Sequence, residues 1–314
     1  MKLILQSIVT AIAISTAVVS CSIFVVAPRL HCIVGHPVVD EVRTLKFAAT
    51  KQFRLDNSDG AVQIRTSQPD VIVVSARVRV FASGRKSVES AREYADSLLK
   101  VTEADDGVRV ETEPGDRPDA VNLMVDYSVQ VPEGTDLAIE NGNGNVSVMN
   151  GCGAVMVHGR NADIRIVRPT GVVSATSTNG QIHVEEAAAD TVAETVNGSV
   201  YADTSVGSLR AKTTNGAIVA RVLTGEVTEC ALSSQNGGIT LVAGDGIRGR
   251  LNARTARGRI RFDIPVCVDV AKGCKNSRHV RGIFGDESGN SSGEDSTKLT
   301  LSAGNGNIWI ARSN

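Results

Sequence analysis

The sequence predicts a mainly β protein: a single-stranded β-solenoid (β-helix) of about 18-residue coils with an N-terminal α/β cap, an antiparallel β-meander being the alternative. Three observations predict it. First, Asn-Gly recurs at Asn143-Gly144, Asn179-Gly180, Asn197-Gly198, Asn215-Gly216, Asn236-Gly237 and Asn305-Gly306. Asn161-Ala162 fills the gap, so residue 143 is followed at spacings of 18, 18, 18, 18 and 21. Second, nine aligned segments, from LDNSDGAVQI and IENGNGNVSV to LSAGNGNIWI, carry Val or Ile three residues after the Asn position. They also carry an apolar residue five after it and Ala, Val, Ile or Leu four before it, which is period-two alternation with one buried face. Third, the composition combines 30 Gly and much Val, Ala, Thr and Ser with only one Trp, three Tyr and six Phe, a mixture suited to short strands and tight turns.

Residues 1–35 read as an export segment. No charge interrupts Leu3 to Ala27, and Val18-Val19-Ser20-Cys21 resembles the lipobox of bacterial lipoproteins, with lipidation at Cys21. The rival reading is an uncleaved membrane helix, since 25 uncharged residues exceed the roughly 20 that cross a bilayer. Simple cleavage is a third. All three export the body, and the first two anchor it to a membrane of the cell envelope, whether outer membrane or periplasm. Cys32, Cys152, Cys230, Cys267 and Cys274 remain, an odd number. Cys267 and Cys274 enclose a short loop and are the expected disulfide. Cys152 and Cys230 fall at different repeat positions and read as buried thiols.

Residues 36–135 are less regular and read as the cap. Val71–Val80 alternates as a strand, and Ser87 to Lys100 places Val88, Ala91, Ala95, Leu98 and Leu99 on one helical stripe. Val108–Glu113 and Val121–Val131 are further strands, closed by Pro132-Glu133-Gly134. A solenoid needs its first edge covered, because open strand edges invite aggregation.

Residues 136–312 carry the repeats. Asn and Gly both tolerate positive φ, so each pair is expected to turn the chain sharply between two short strands. In a meander each pair would be a two-residue hairpin. In a solenoid, equivalent residues would stack roughly 4.8 Å apart. The unbroken Val/Ile column and the small residues two before the Asn favour stacking. Arg257-Gly258 is expected to continue the series 21 residues after Asn236, and Asp59-Gly60 is an outlying early copy. Residues 265–298 interrupt the series as an inserted loop ending in a polar Gly/Ser-rich run.

These turn copies, the helix after the early copy, the Tyr127-Ser128-Val129-Gln130-Val131-Pro132-Glu133-Gly134 passage and the final Gly304-Asn305-Gly306-Asn307-Ile308 coil resemble a bacterial family. It is the putative-adhesin family of β-strand-repeat (β-solenoid) proteins, related to auto-transporter adhesin head domains. The resemblance spans about residues 45–312 and implies an exported, adhesive or envelope-associated solenoid without catalytic residues.

Chemistry-bearing patterns are sparse. Gly289-Asn290-Ser291-Ser292-Gly293 matches G-x-S-x-G but lacks the strand and helix that a nucleophile elbow requires. His279 near the cysteines lacks a fourth zinc ligand, so neither metal nor cofactor is expected. His158 and His183 sit on outward positions with no carboxylate at the same repeat position beside them. Polysaccharide-active β-helix enzymes need clustered carboxylates, and the outward columns do not concentrate them. With 33 basic and 34 acidic residues and a net charge of −1, nucleic acid is not an expected partner. The sharpest binding candidates are Arg165, His183 and Tyr201, expected as a planar ladder on successive coils for an unknown surface ligand, protein or glycan. The functional expectation is a non-enzymatic adhesin-like binding module, with a periplasmic envelope-stress sensing or scaffolding protein as the alternative.

Overall fold

The computed structural model describes residues 24–25, 37–67, 70–82, 85–104, 106–112, 121–244, 247–264, 266–268, 278–284 and 297–313. Cys21, Cys32, Cys274 and the G-x-S-x-G segment lie outside the described residues. Among the described residues no helix is long and apolar enough to cross a membrane.

Among the described residues the chain is mainly β, with two 13-stranded sheets and no closed barrel. Each repeat supplies one strand before its turn and one after it, and the two join different sheets: Val173–Asn179 lies in one, Ile182–Ala187 in the other. Neighbouring repeats pair in parallel without slippage at the turn, as in Val155↔Val173 and Ile164↔Ile182. A meander would pair the strands flanking each Asn-Gly with one another, and these do not pair.

The buried columns follow the sequence pattern. Val146, Ile164, Ile182, Val200, Ile218, Ile239 and Ile308 are all at most 1% exposed. Cys230 falls in the buried column of Val155, Val173 and Leu209, so its thiol replaces an aliphatic side chain in the core.

The turn glycines serve a purpose beyond the one expected: Gly60, Gly144 and Gly180 do take positive φ, but their Asx partners do not. Asn is the last residue of its strand, and among the described non-Gly residues only Asn150, Arg168 and Glu186 have positive φ. The glycine is also needed because the preceding coil passes against it. A Cβ on Gly198 would lie 1.9 Å from the Gly180 carbonyl oxygen, and on Gly216 2.0 Å from that of Gly198. Backbones this close leave no room for a side-chain atom.

Two polar ladders accompany this approach. Each Asn side chain donates Nδ2–H to Oδ1 of the preceding one at 2.5–2.9 Å, through Asp59, Asn143, Asn161, Asn179, Asn197, Asn215, Asn236 and Asn305. Inside, the small hydroxyl two residues earlier donates to a carbonyl of the preceding turn: Ser177 to Ala162, Thr195 to Gly180, Thr213 to Gly198, at 2.8–3.0 Å.

Stacking order departs from chain order at both ends. Gln52–Asp59 and Val62–Thr66 join the same ladders, between Gly107–Thr112 with Val121–Val131 and Asp136–Asn143 with Val146–Met149. At the other end, Thr297–Ala303 and Ile308–Arg312 lie between Val227–Asn236 with Ile239–Ala243 and Gly249–Thr255 with Ile260–Phe262. Arg257-Gly258 therefore does not stack on Asn236-Gly237 as its spacing suggested. The Asn305 amide continues the ladder from Asn236 at 2.7 Å, a bond that arginine, having no acceptor, could not pass on.

Two further expectations change. The helix covers Arg85–Asp96, not Ser87 to Lys100. Ser97 closes it by donating Oγ–H to the Tyr94 carbonyl at 3.1 Å, and Leu99–Ala104 pairs antiparallel with Gly107–Thr112. Part of the span read as a loop at 265–298 is strand: Val266–Val268 and His279–Phe284 pair antiparallel, and the latter buries Val280 and Phe284.

Candidate functional site

Alternation along each strand sends every second side chain outward, and parallel pairing aligns these outward residues from coil to coil. Arg165 is the Cα partner of His183, and His183 of Tyr201. The structure thus places the three candidates side by side on one sheet face. They do not form a flat stack. The His183 and Tyr201 rings lie 4.3 Å apart at 53°.

A carboxylate that the column analysis missed sits beside them. Glu185, two residues beyond His183 and on the same face, accepts from Arg165 Nη2 at 2.9 Å and lies 3.0 Å from His183 Nε2. On the next coils, Arg221 reaches Tyr201 Oη at 3.5 Å and Asp203 Oδ2 at 3.9 Å. Asp203 is 7% exposed, and its Oδ1 has no hydrogen-bond partner. Burial raises its carboxyl pKa, Arg221 opposes that, and Glu186 and Glu185 add to it. The chain bulges between Val184 and Ala187, where Glu186 takes φ 52°. His158 does have a carboxylate at the same repeat position beside it, contrary to expectation, since Glu140 is its Cα partner; its hydrogen bond is a 2.6 Å contact between Nδ1 and the Thr176 hydroxyl.

Acidic residues do approach one another in a recess of about 410 Å³ that includes Asp56 and Glu140. Both are already paired, Asp56 with Arg109 at 2.6 Å and Glu140 with Arg54 at 2.8 Å. Cys152 and Cys230 are free and buried, and desolvation pushes both thiols up to about 12. Low reactivity follows, because the thiolate is the nucleophile. Cys267 lies in Val266–Val268, while its expected partner Cys274 is outside the described residues. Among the described residues no group of three His, Cys, Asp or Glu could hold a metal ion.

A second recess, of about 1020 Å³, lies at the far end of the stack, where Arg257, Arg259, Arg261 and Arg278 surround Trp309. The repeat puts Arg261 and Trp309 at the same outward position of successive copies, but nothing in the spacing gave them a role. The signal was present in ARTARGRIRF, whose outward positions about the turn are arginine, and in the single Trp of the chain. The inserted last coil makes Arg261 and Trp309 Cα partners.

No protein-family model matches this chain, and no curated protein matches it. It is similar to a putative cell adhesion protein from Clostridium sporogenes, at 10% identity over 87% of this chain and 100% of that one, with a TM-score of 0.26. A putative adhesin from Bacteroides fragilis aligns at 9% identity over 87% and 97%, TM-score 0.37. A putative adhesin from Parabacteroides merdae aligns at 10% over 86% and 95%, TM-score 0.33. No residue role is carried over from them.

Proposed function

We propose that this chain is an exported, non-enzymatic, adhesin-like binding module held at the cell envelope. In this reading residues 1–35 anchor it, through Cys21 or the helix around it, residues 136–312 together with the early coil at 52–66 form a single-stranded solenoid, and the rest of residues 36–135 caps it. One observation carries the reading: in-register parallel pairing turns each outward repeat position into a continuous row of side chains. Arg165, His183 and Tyr201 form such a row, with Glu185 fixing two of its members. A rigid row at about 4.8 Å spacing suits many weak contacts with an extended partner surface. The resemblance of the repeats to β-strand-repeat adhesins supports the same role.

The test has two parts. A protease site is engineered at residues 285–295, and intact cells are treated before blotting, with lysed cells as control. Cleavage on intact cells is expected. Protection on intact cells with cleavage after lysis would favour the internal envelope role instead. The triple substitution Arg165→Ala, His183→Ala, Tyr201→Ala is expected to reduce cell attachment, and unchanged attachment would remove this row from the binding surface.

A further inference from the structure

The recess at the end of the stack concentrates positive charge on a chain whose net charge is −1. Arg257 occupies the Asn position of its turn, and Arg259 and Arg261 follow at alternate positions around buried Ile260, so both project outward. Arg278 enters from the turn just before the strand His279–Phe284 of the other sheet, and all four arginines are exposed. Among the described residues no carboxylate lies within ion-pair distance of any of these guanidinium groups. Four clustered cations against the single lining carboxylate of Asp263 leave the recess with a net positive charge, which a bound anion relieves. In their midst Trp309 is 46% exposed, and its orientation is set by an Nε1–H bond to Asp263 Oδ2 at 2.9 Å.

We propose that this groove binds an acidic polysaccharide, a sugar chain bearing carboxylate or sulfate groups. Guanidinium forks pair with such oxyanions through two parallel hydrogen bonds. The fixed indole offers a flat apolar face on which the C–H face of a sugar ring can lie. An open recess at a stack end lets a polymer run across it, which an enclosed pocket would forbid. Nucleic acid fits less well, since it calls for an extended basic stripe with several stacking aromatics, and this groove holds one aromatic and a carboxylate. The proposal rests on the reading of the chain as a binding module and adds its ligand class.

Trp309 is the only tryptophan of the chain, so its fluorescence reports on this site alone. Purified full-length protein is titrated at ~0.1 M salt with polygalacturonate, sulfated dextran, neutral dextran and short single-stranded DNA. A saturable fluorescence change is expected with at least one acidic sugar polymer and none with neutral dextran. The double variant Arg259→Glu, Arg261→Glu should bind roughly tenfold or more weakly with an unchanged melting temperature. If that variant unfolds, Arg257→Gln with Arg278→Gln carries the same expectation. No saturable response to either acidic sugar polymer, tighter binding to DNA than to both, or affinity indifferent to the arginine substitutions in folded protein would each overturn the proposal. Because the assay uses purified protein, it can fail while the cell experiments succeed, and the reverse.

Discussion

A methyl group on Gly198 would sit 1.9 Å from the Gly180 carbonyl oxygen, while one on Gly225 would meet nothing within 4 Å. Gly198→Ala is therefore expected to cost more than about 3 kcal/mol or to prevent folding, and Gly225→Ala to stay within about 0.5 kcal/mol, both read from denaturant unfolding. Equal costs would remove close backbone approach as the reason for the glycine. Asp203 gives a pH signature. Its folded pKa is raised, so between the ordinary carboxylate value and the raised one the folded protein keeps a proton that the unfolded chain has released. Stability from this group falls as pH rises through that window. Asp203→Asn should thus raise the melting temperature near pH 7, with the gain vanishing by about pH 3, where the acid is protonated in both states. A gain independent of pH would assign the effect to something other than the carboxylate. The two buried thiols should resist alkylation at about pH 8 in native protein and react once it is unfolded, as followed by mass spectrometry.

At the scale of the strand, what repeats is a pair of hydrogen-bond ladders as much as an apolar pattern. Thr195 lies in a buried position, 5% exposed, and its hydroxyl satisfies the Gly180 carbonyl. Thr195→Val keeps the shape and strands that acceptor, so a loss of about 1–2 kcal/mol is expected by denaturant unfolding. Asn197→Ala removes two exposed ladder bonds, to Asn179 and from Asn215, and water replaces them. Its expected cost is smaller, about 1 kcal/mol or less. The reverse ranking would mean that the outer ladder, not the inner one, holds the turns together. The apolar columns were legible in the sequence because they depend only on period two. The turn geometry was not, since Asn-Gly suits a tight hairpin as well as a close pass between coils, and local preference cannot separate the two.

For the whole molecule, the consequence lies in the order of the coils. Residues 297–312 sit inside the stack, with a paired strand on each side in both sheets. Deleting residues 297–314 should therefore open an interior gap and expose residues 227–262 to limited proteolysis. Removal of a terminal coil would instead leave that region protected. The same insertion sets the order within the groove, since it places Trp309 between Thr240 and Arg261. No spacing rule could have found that order, because the copy at 257 follows residue 236 at the same 21-residue interval seen one coil earlier.

The sequence by itself determined the repeat, the buried columns of Val and Ile, and the shared outward repeat position of Arg165, His183 and Tyr201. All three follow from alternation at a fixed spacing, which holds wherever the chain goes next. Only the tertiary structure decided that Glu185 clasps that row, that the last coil slips in beside Asn236, and that arginines from two sheets meet around one tryptophan. Those outcomes depend on which backbone lies against which, and hydrogen-bond continuity across the stack sets that, over distances no local pattern encodes.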